Sequence, residues 1–413
     1  MLDDPYREHR GTMTGPLDGV RVLDLGQIYQ GGYCGLLLSY MGADVVKVEP
    51  PWGENVRTRS EDGYPPQFQF LNASKRGVTL DLKSAAGREA LCRLVEKADV
   101  LLENFATGKM AELGVGYDRL KEVNPELVYA HGSGYGDSGP YAEYPAMDLT
   151  VQAMSGVMET TGFPDGPPVK AGPAVCDFVG ATHLAVGVLG ALFRREATGE
   201  GDYVEVGMFD CMYPTLASPV SAWVSGSDAP PRTGNQHSGL SIAPYNAYEV
   251  EDGHVAIICI AERHWESLAR VMDRADLIGR EGWDSKVARA RRIEEVDAVI
   301  EGWLTGRTKA EVVGTLLEAD VPCAPVRTVP QMVEDPHLRE RGMIHDLPNP
   351  GDGRDETPVP GMPIRFAGGE GSDVSRAPFL GEHTEEVLRE VAGYTDAEID
   401  RLGREDGSGS TSG

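Results

Sequence analysis

An α/β fold built on a parallel sheet is what this chain predicts, and three observations carry it. Short β-branched runs alternate with longer segments of helical length from Val20 to His131. Each run ends at Gly, Pro or a charged residue, as a buried strand should. Strand–helix alternation repeated in this way packs as parallel strands covered by helices. The chain has 413 residues, 41 % of them hydrophobic. That length predicts two domains, and that composition can bury a core in each.

In order, residues 20–25 form a strand that stops at Gly26, and 33–41 form an apolar helix. Gly42-Ala43 breaks the helix, 44–49 is a second strand, and Pro50-Pro51 ends it. This is a βαβ unit. A strand at 78–82, a helix at 85–98, a strand at 100–103, a helix at 117–124 and a strand at 127–131 continue the pattern. Residues 148–156 and 183–198 read as helices, the second apolar enough to be buried. Residues 225–239 are rich in Gly, Pro and Ser and read as a loop or linker. Beyond it, 248–250 and 255–260 flank Asp252-Gly253 as a β-hairpin. Helices at 265–273, 293–304 and 309–319 and a strand-like return at 321–326 complete a smaller α+β domain. The Gly/Ser/Thr tail 407–413 is expected to be disordered.

Charge and cysteine content exclude several functions. Lys and Arg number 38 against 65 Asp and Glu, a net charge of −27. A nucleic-acid or anionic-membrane binder needs a basic face, so neither partner is expected. No apolar run approaches the length of a membrane span, and residues 1–10 lack the apolar core of a secretory signal. Six cysteines lie far apart with no CxxC pair, which fits a reducing cytoplasm. Of the cations, 9 are Lys and 29 Arg. That balance suits either a halophile's protein, kept soluble in concentrated salt, or an acidic protein of a GC-rich genome.

Familiar cofactor motifs do not fit. The turn Gly26-Gln27-Ile28-Tyr29-Gln30-Gly31-Gly32 is no GxGxxG fingerprint, and there is no phosphate-loop GxxxxGK[ST] or nucleophile-elbow GxSxG. Gly132-Ser133-Gly134-Tyr135-Gly136 is a tight turn or a ligand cradle. His131, His183 and His254 lack the spacing of metal ligands, and no metal site is expected.

Taken in chain order, however, a series of short motifs resembles one family. They lie at 16–25, 42–49, 72–77 with 80–83, 99–105, 134–136 with 139–140, 198–201, 234–235 and 380–388. Among them are Gly42-Ala43-Asp44-Val45, Asn72-Ala73-Ser74-Lys75-Arg76-Gly77, Glu103-Asn104-Phe105 and Leu380-Gly381-Glu382-His383-Thr384. The series resembles the family III CoA-transferases, which include formyl-CoA and carnitine CoA-transferases and share a fold with acyl-CoA racemases. That resemblance implies a large Rossmann-like domain from both chain ends (1–225 and 326–406) and a smaller α+β domain inserted at 226–325. It also implies a homodimer of two interlocked chains. CoA would pass from an acyl-CoA to a free carboxylic acid, with CoA thioesters as substrates and no permanent cofactor.

The resemblance assigns roles by position. Asp177, within Gly172-Pro173-Ala174-Val175-Cys176-Asp177-Phe178-Val179-Gly180, matches the family nucleophile. A carboxylate among apolar neighbours is desolvated, and flanking glycines admit a thioester. The bland alternative is an Asp capping a helix that begins near Val179. Asp148 is a second carboxylate, either catalytic or a cap of its own helix. The racemase branch commonly has His at the preceding position; here Met147 stands there and cannot move a proton. Gln27, Ile28 and Tyr29 match the turn that holds the thioester end. Leu80, Lys83, Asn104 and Phe105 match positions around the CoA nucleotide, with Arg57, Arg59, Lys75, Arg76 and Lys109 as further cations for it. The glycine-rich loop that closes over the active site in formyl-CoA transferase has no match here; Gly234-Asn235-Gln236-His237-Ser238-Gly239, with His237, is the candidate lid in its place. Succinyl-CoA as donor and a dicarboxylate such as mesaconate or citramalate as acceptor would require a cation for the second carboxylate, from Arg57, Lys170, Arg232 or His237. An α-methylacyl-CoA racemase and a catalytically silent CoA-binding subunit are the rival readings.

Overall fold

A computed structural model of the chain describes residues 15–61, 63–349, 355–367 and 374–405. The tail 407–413 and the N-terminal residues 1–10 lie outside the described residues. The chain divides into two compact units, one of 1–151, 173–212 and 333–413, the other of 152–172 and 213–332. Residues 152–172 and 213–225, read from the sequence as part of the large domain, thus belong to the second unit. The reason is local: Gly234 donates its N–H to the Gly162 carbonyl at 2.9 Å, and Arg232 pairs with Glu159 at 3.0 Å.

The first unit runs β1 (Arg21–Asp24), α1 (Gln30–Tyr40), β2 (Asp44–Glu49), α2 (Pro66–Asn72), β3 (Arg76–Thr79), α3 (Ala85–Val95), β4 (Val100–Glu103), α4 (Lys109–Glu112), α5 (Tyr117–Val123), β5 (Val128–Ser133), α6 (Asp148–Met154), α7 (Val175–Thr198), β6 (Asp202–Gly207) and α8 (Met208–Met212). The six strands form one sheet in the order β3-β2-β1-β4-β5-β6, every pair parallel. Apolar residues alternate between two covered faces, which is why the strands read as continuous hydrophobic runs. Leu23, Leu101 and Tyr129 pack on α3 and α5, joined by Val387, Leu388, Ile399 and Leu402 of the C-terminal helices Thr384–Glu390 and Asp396–Glu405. Val22, Val100 and Val128 pack on α1 and α7. The strand order reverses between β1 and β4, so their carboxyl ends open a crevice where α/β sheets hold ligands.

The expectation of no span-length apolar segment meets one exception. Among the described residues α7 is long and apolar enough to cross a membrane, but half of its apolar stretch is buried. Its Ala181, Leu184, Ala185, Val188 and Leu192 fill the core beside α1, which accounts for the composition of a core helix.

The second unit holds the antiparallel sheet β7 (Tyr245–Val250), β8 (Gly253–Ile258) and β9 (Cys323–Pro325). The hairpin turns at Glu251-Asp252, with Val250 opposite Gly253. Helices Glu262–Val271, Ile293–Leu304 and Lys309–Glu318 cover it around Trp265, Leu268, Ile300 and Leu316.

Candidate active site

The turn after β1 is built from buried charges. Asp24 ends the strand with its carboxylate fully buried; one oxygen accepts from the Gly26 N–H at 2.8 Å and the other pairs with Lys75 Nζ at 2.7 Å. Lys47 on β2 donates to the Gly26 carbonyl and lies 3.6 Å from Glu54. Glu54 in turn accepts from the Ile28 N–H at 2.9 Å. Ile28 has φ +58°, a left-handed conformation that costs a β-branched residue roughly 1–3 kcal/mol and needs such a clamp. Asn104, at the end of β4, grips Gln27 twice, accepting from its N–H at 2.6 Å and donating to its carbonyl at 3.0 Å. Side chains are absent at Gly26 and Gly31 for a reason: a Cβ on Gly31 would lie 2.4 Å from the Gly26 Cα.

This arrangement corrects two sequence assignments. Lys75 was put forward to meet a CoA phosphate, but its ammonium is wholly buried, held by Asp24, Asn72 and the Gly32 carbonyl. Arg57 was put forward for phosphate or acceptor carboxylate. Its guanidinium is instead gripped bidentately by Glu49 at 2.7 and 2.8 Å, under the Phe68 ring. Both cations are spent inside the fold. Leu80 likewise lies in the core, 1 % exposed. Lys83 is exposed, its Nζ 5.3 Å from the centroid of the exposed Trp52 ring. Phe105 is half-buried against the core. Lys109 pairs with Glu112 at 2.8 Å on the surface. His237, Lys170 and Arg232 belong to the second unit, where His237 meets Ser241 at 2.9 Å and packs edge-on to Tyr245.

Asp177 sits in the first turn of α7, 8 % exposed. The helix begins at Val175, earlier than the sequence suggests, so Asp177 is a helical residue rather than its cap. The residue at the cap position is Ala174, which offers no side-chain acceptor. Asp148 takes that task instead: its carboxylate accepts from the Cys176 N–H at 2.9 Å. Among the described residues the Asp177 carboxylate makes no hydrogen bond or ion pair. Burial raises its pKa, the Asp148 charge raises it further and Arg59 draws it back, leaving it at about 7. It is therefore about half ionised near neutrality, a poorly solvated carboxylate. The neighbouring Cys176 thiol is pushed up to about 12 by burial and then by Asp148 and Asp177, so it does not compete.

Aromatic rings join the turn to α7. Phe178 packs against Tyr29 at 5.8 Å and Tyr33 at 4.8 Å between centroids. Arg59 donates to the Tyr29 hydroxyl at 3.0 Å. Gln30, 2 % exposed, occupies the space left by two glycines: a Cβ on Gly132 would lie 2.9 Å from its amide carbon, and one on Gly180 3.0 Å from its nitrogen. Gly180 thus makes room for Gln30 rather than for a thioester. The sequence reading missed Gln30, Lys47 and Glu54, and the glycines were its only local signal.

His131, read as structural, is held by Glu103 at 2.6 Å and Asp137 at 3.2 Å. Burial opposes its charge, but those carboxylates prevail and push its pKa up to about 10.

Comparison with known proteins places this geometry. Residues 17–384 match CoA-transferase family III. The chain belongs to that family. Succinyl-CoA:mesaconate CoA-transferases of Haloarcula hispanica and Haloarcula marismortui are each 40 % identical to it over 388 residues, covering 91 % of this chain and 96 % of theirs. A formyl-CoA:oxalate CoA-transferase of Streptomyces avermitilis is 34 % identical, covering 94 % of this chain and 98 % of its own. Among solved structures, a CAIB/BAIF family protein of Brucella suis superposes with a TM-score of 0.80 at 33 % identity, over 92 % of this chain and all of that one. An aspartate-to-alanine mutant of a Mycobacterium tuberculosis protein gives 0.80 at 30 % identity. This family III CoA-transferase is an enzyme, acting on CoA thioesters.

Proposed function

We propose that Asp177 is the covalent carrier of a ping-pong CoA transfer, with succinyl-CoA as donor and a dicarboxylate such as mesaconate as acceptor. One observation carries the reading: a buried carboxylate at the start of α7 with a pKa near neutrality and no hydrogen-bonding or ion-pairing partner among the described residues. An Asp177 oxygen attacks the thioester carbonyl, and CoA leaves as its thiolate. The thiolate attacks the aspartyl carbonyl of the mixed anhydride, releasing the donor acid and leaving an aspartyl-CoA thioester. The acceptor carboxylate then attacks that thioester, CoA leaves again, and its attack on the acceptor carbonyl frees Asp177 with the new acyl-CoA. No net proton is required, and one hard exchange becomes four acyl substitutions. The two Haloarcula relatives named for succinyl-CoA and mesaconate support the substrate pair. Met147, 59 % exposed beside Asp148, supplies no second base, which favours transfer over racemisation.

Hydroxylamine added with succinyl-CoA should convert Asp177 to its hydroxamate, read by peptide mass. Exchange into a panel of acids should favour dicarboxylates. An unmodified Asp177 in an actively exchanging enzyme refutes the carrier role, and turnover confined to monocarboxylates refutes the substrate pair. We further infer an interlocked homodimer. Support comes from Val186 and Phe193, seven positions apart on α7 and 63 % and 83 % exposed, an apolar stripe suited to a second copy. A monomeric mass in solution overturns it.

A further inference from the structure

Two arginines two residues apart have opposite fates. Arg57 is buried and locked to Glu49, whereas Arg59, at the end of the same 3-10 turn (Arg57–Arg59), is exposed. Its contacts among the described residues are to one neutral group, the Tyr29 side chain: a hydrogen bond to the hydroxyl and a guanidinium 5.4 Å from the ring centroid. No carboxylate of the described residues stands within ion-pairing distance of it. Left without an acidic partner among the described residues, the guanidinium can take an anion from outside. Its position is also specific. The Tyr29 ring it grips packs on Phe178, the residue after Asp177. The guanidinium keeps free N–H groups in a planar fork that fits a carboxylate bidentately.

We propose that Arg59 binds the distal carboxylate of the dicarboxylic acyl group and thereby sets the enzyme's preference for dicarboxylic over monocarboxylic acids. This rests on the CoA-transfer reading and deepens it. The other cations considered for the task are engaged: Arg57 by Glu49, Arg232 by Glu159, Lys170 by the carbonyls of Ala171 and Gly172 at 3.1 and 3.0 Å, and His237 by the Ser241 hydroxyl at 2.9 Å. The influence of Arg59 on Asp177 places its charge within electrostatic reach of the reacting group. It takes no part in bond making; it orients the acid so that the other carboxylate meets the acyl carbon.

The test compares mesaconate with tiglate, which carries a methyl group where mesaconate has its second carboxylate, as acceptors at one fixed concentration of succinyl-CoA. Because the donor is common to both, its own contacts cancel in the ratio of kcat/KM values. In the unsubstituted enzyme the ratio should be large. Arg59→Gln should lower it at least tenfold, mainly through the KM for mesaconate, and Arg59→Lys, which keeps the charge but loses the fork, should fall between. A ratio unchanged by both variants overturns the proposal. So does an unsubstituted enzyme that uses tiglate as well as mesaconate, while leaving CoA transfer through Asp177 intact. Failure of that underlying reading looks different: no aspartyl hydroxamate and no exchange with any acid.

Discussion

Asp177→Asn should stabilise the folded protein while abolishing exchange. The carboxyl is raised from its ordinary 3.8 to about 7 by burial and by Asp148. A shift of about 3 units corresponds to roughly 4 kcal/mol between its two protonation states. The folded pKa lies above the unfolded one, so the folded chain holds the proton more tightly. Stability therefore falls as pH rises from about 4 to about 7, and the full penalty persists above that. Asparagine does not ionise and escapes it. The expected gain is about 2 kcal/mol near pH 5.5 and up to about 4 kcal/mol near pH 8.5. Thermal melts of both proteins across that range should show a gap in Tm that widens about twofold. A gap indifferent to pH, or a variant less stable at the alkaline end, refutes a desolvated carboxylate. Exchange at the parental rate refutes its role as carrier.

Three further outcomes follow from the same contacts. Asp148→Asn keeps an acceptor for the Cys176 N–H but removes the charge that raises Asp177, so the pH midpoint of hydroxylamine trapping should move below its parental value near 7. Lys47→Met leaves Glu54 buried and unpaired under the Ile28 clamp and should cost about 3–5 kcal/mol in a chemical melt, against well under 1 for removal of the exposed Lys109. With a net charge of −27, the Tm should climb as KCl rises from about 0.1 to about 1 M and the screening length shrinks from roughly 10 to 3 Å; an equal climb in sucrose of matched osmolality would point to exclusion rather than charge.

The first five strands were legible because both faces of the sheet are covered there, so each is built around buried apolar residues, even where β2 carries the buried Lys47, and stops near Gly, Pro or a charge. The start of α7 was not. Its cap position is Ala174, and the acceptor that serves the helix comes from Asp148, 28 positions before Cys176, where no local pattern finds it. β6 alternates exposed and covered residues and carries Asp202 and Glu205, so it lacks the run that marked its neighbours. At the site, sequence pointed to Asp177, Asn104 and the turn 27–29, and the structure brings Asn104 onto that turn and Tyr29 against Phe178. It also pointed to Lys75 and Arg57 as ligand cations. Whether a cation faces water depends on acids brought near by folding, here Asp24, 51 positions from Lys75, and Glu49. The sequence likewise grouped Arg59 with Arg57 as cations for the CoA nucleotide, and the fold separates them: Glu49 takes Arg57, while no described carboxylate pairs with Arg59.

The sealed cluster of Asp24, Lys47, Lys75 and Glu54 makes the two halves of this protein's electrostatics independent. Mobile ions reach the acidic exterior and leave those interior pairs almost untouched. Substitutions among the surface acids therefore leave undisturbed the backbone bend at Ile28 that this cluster braces.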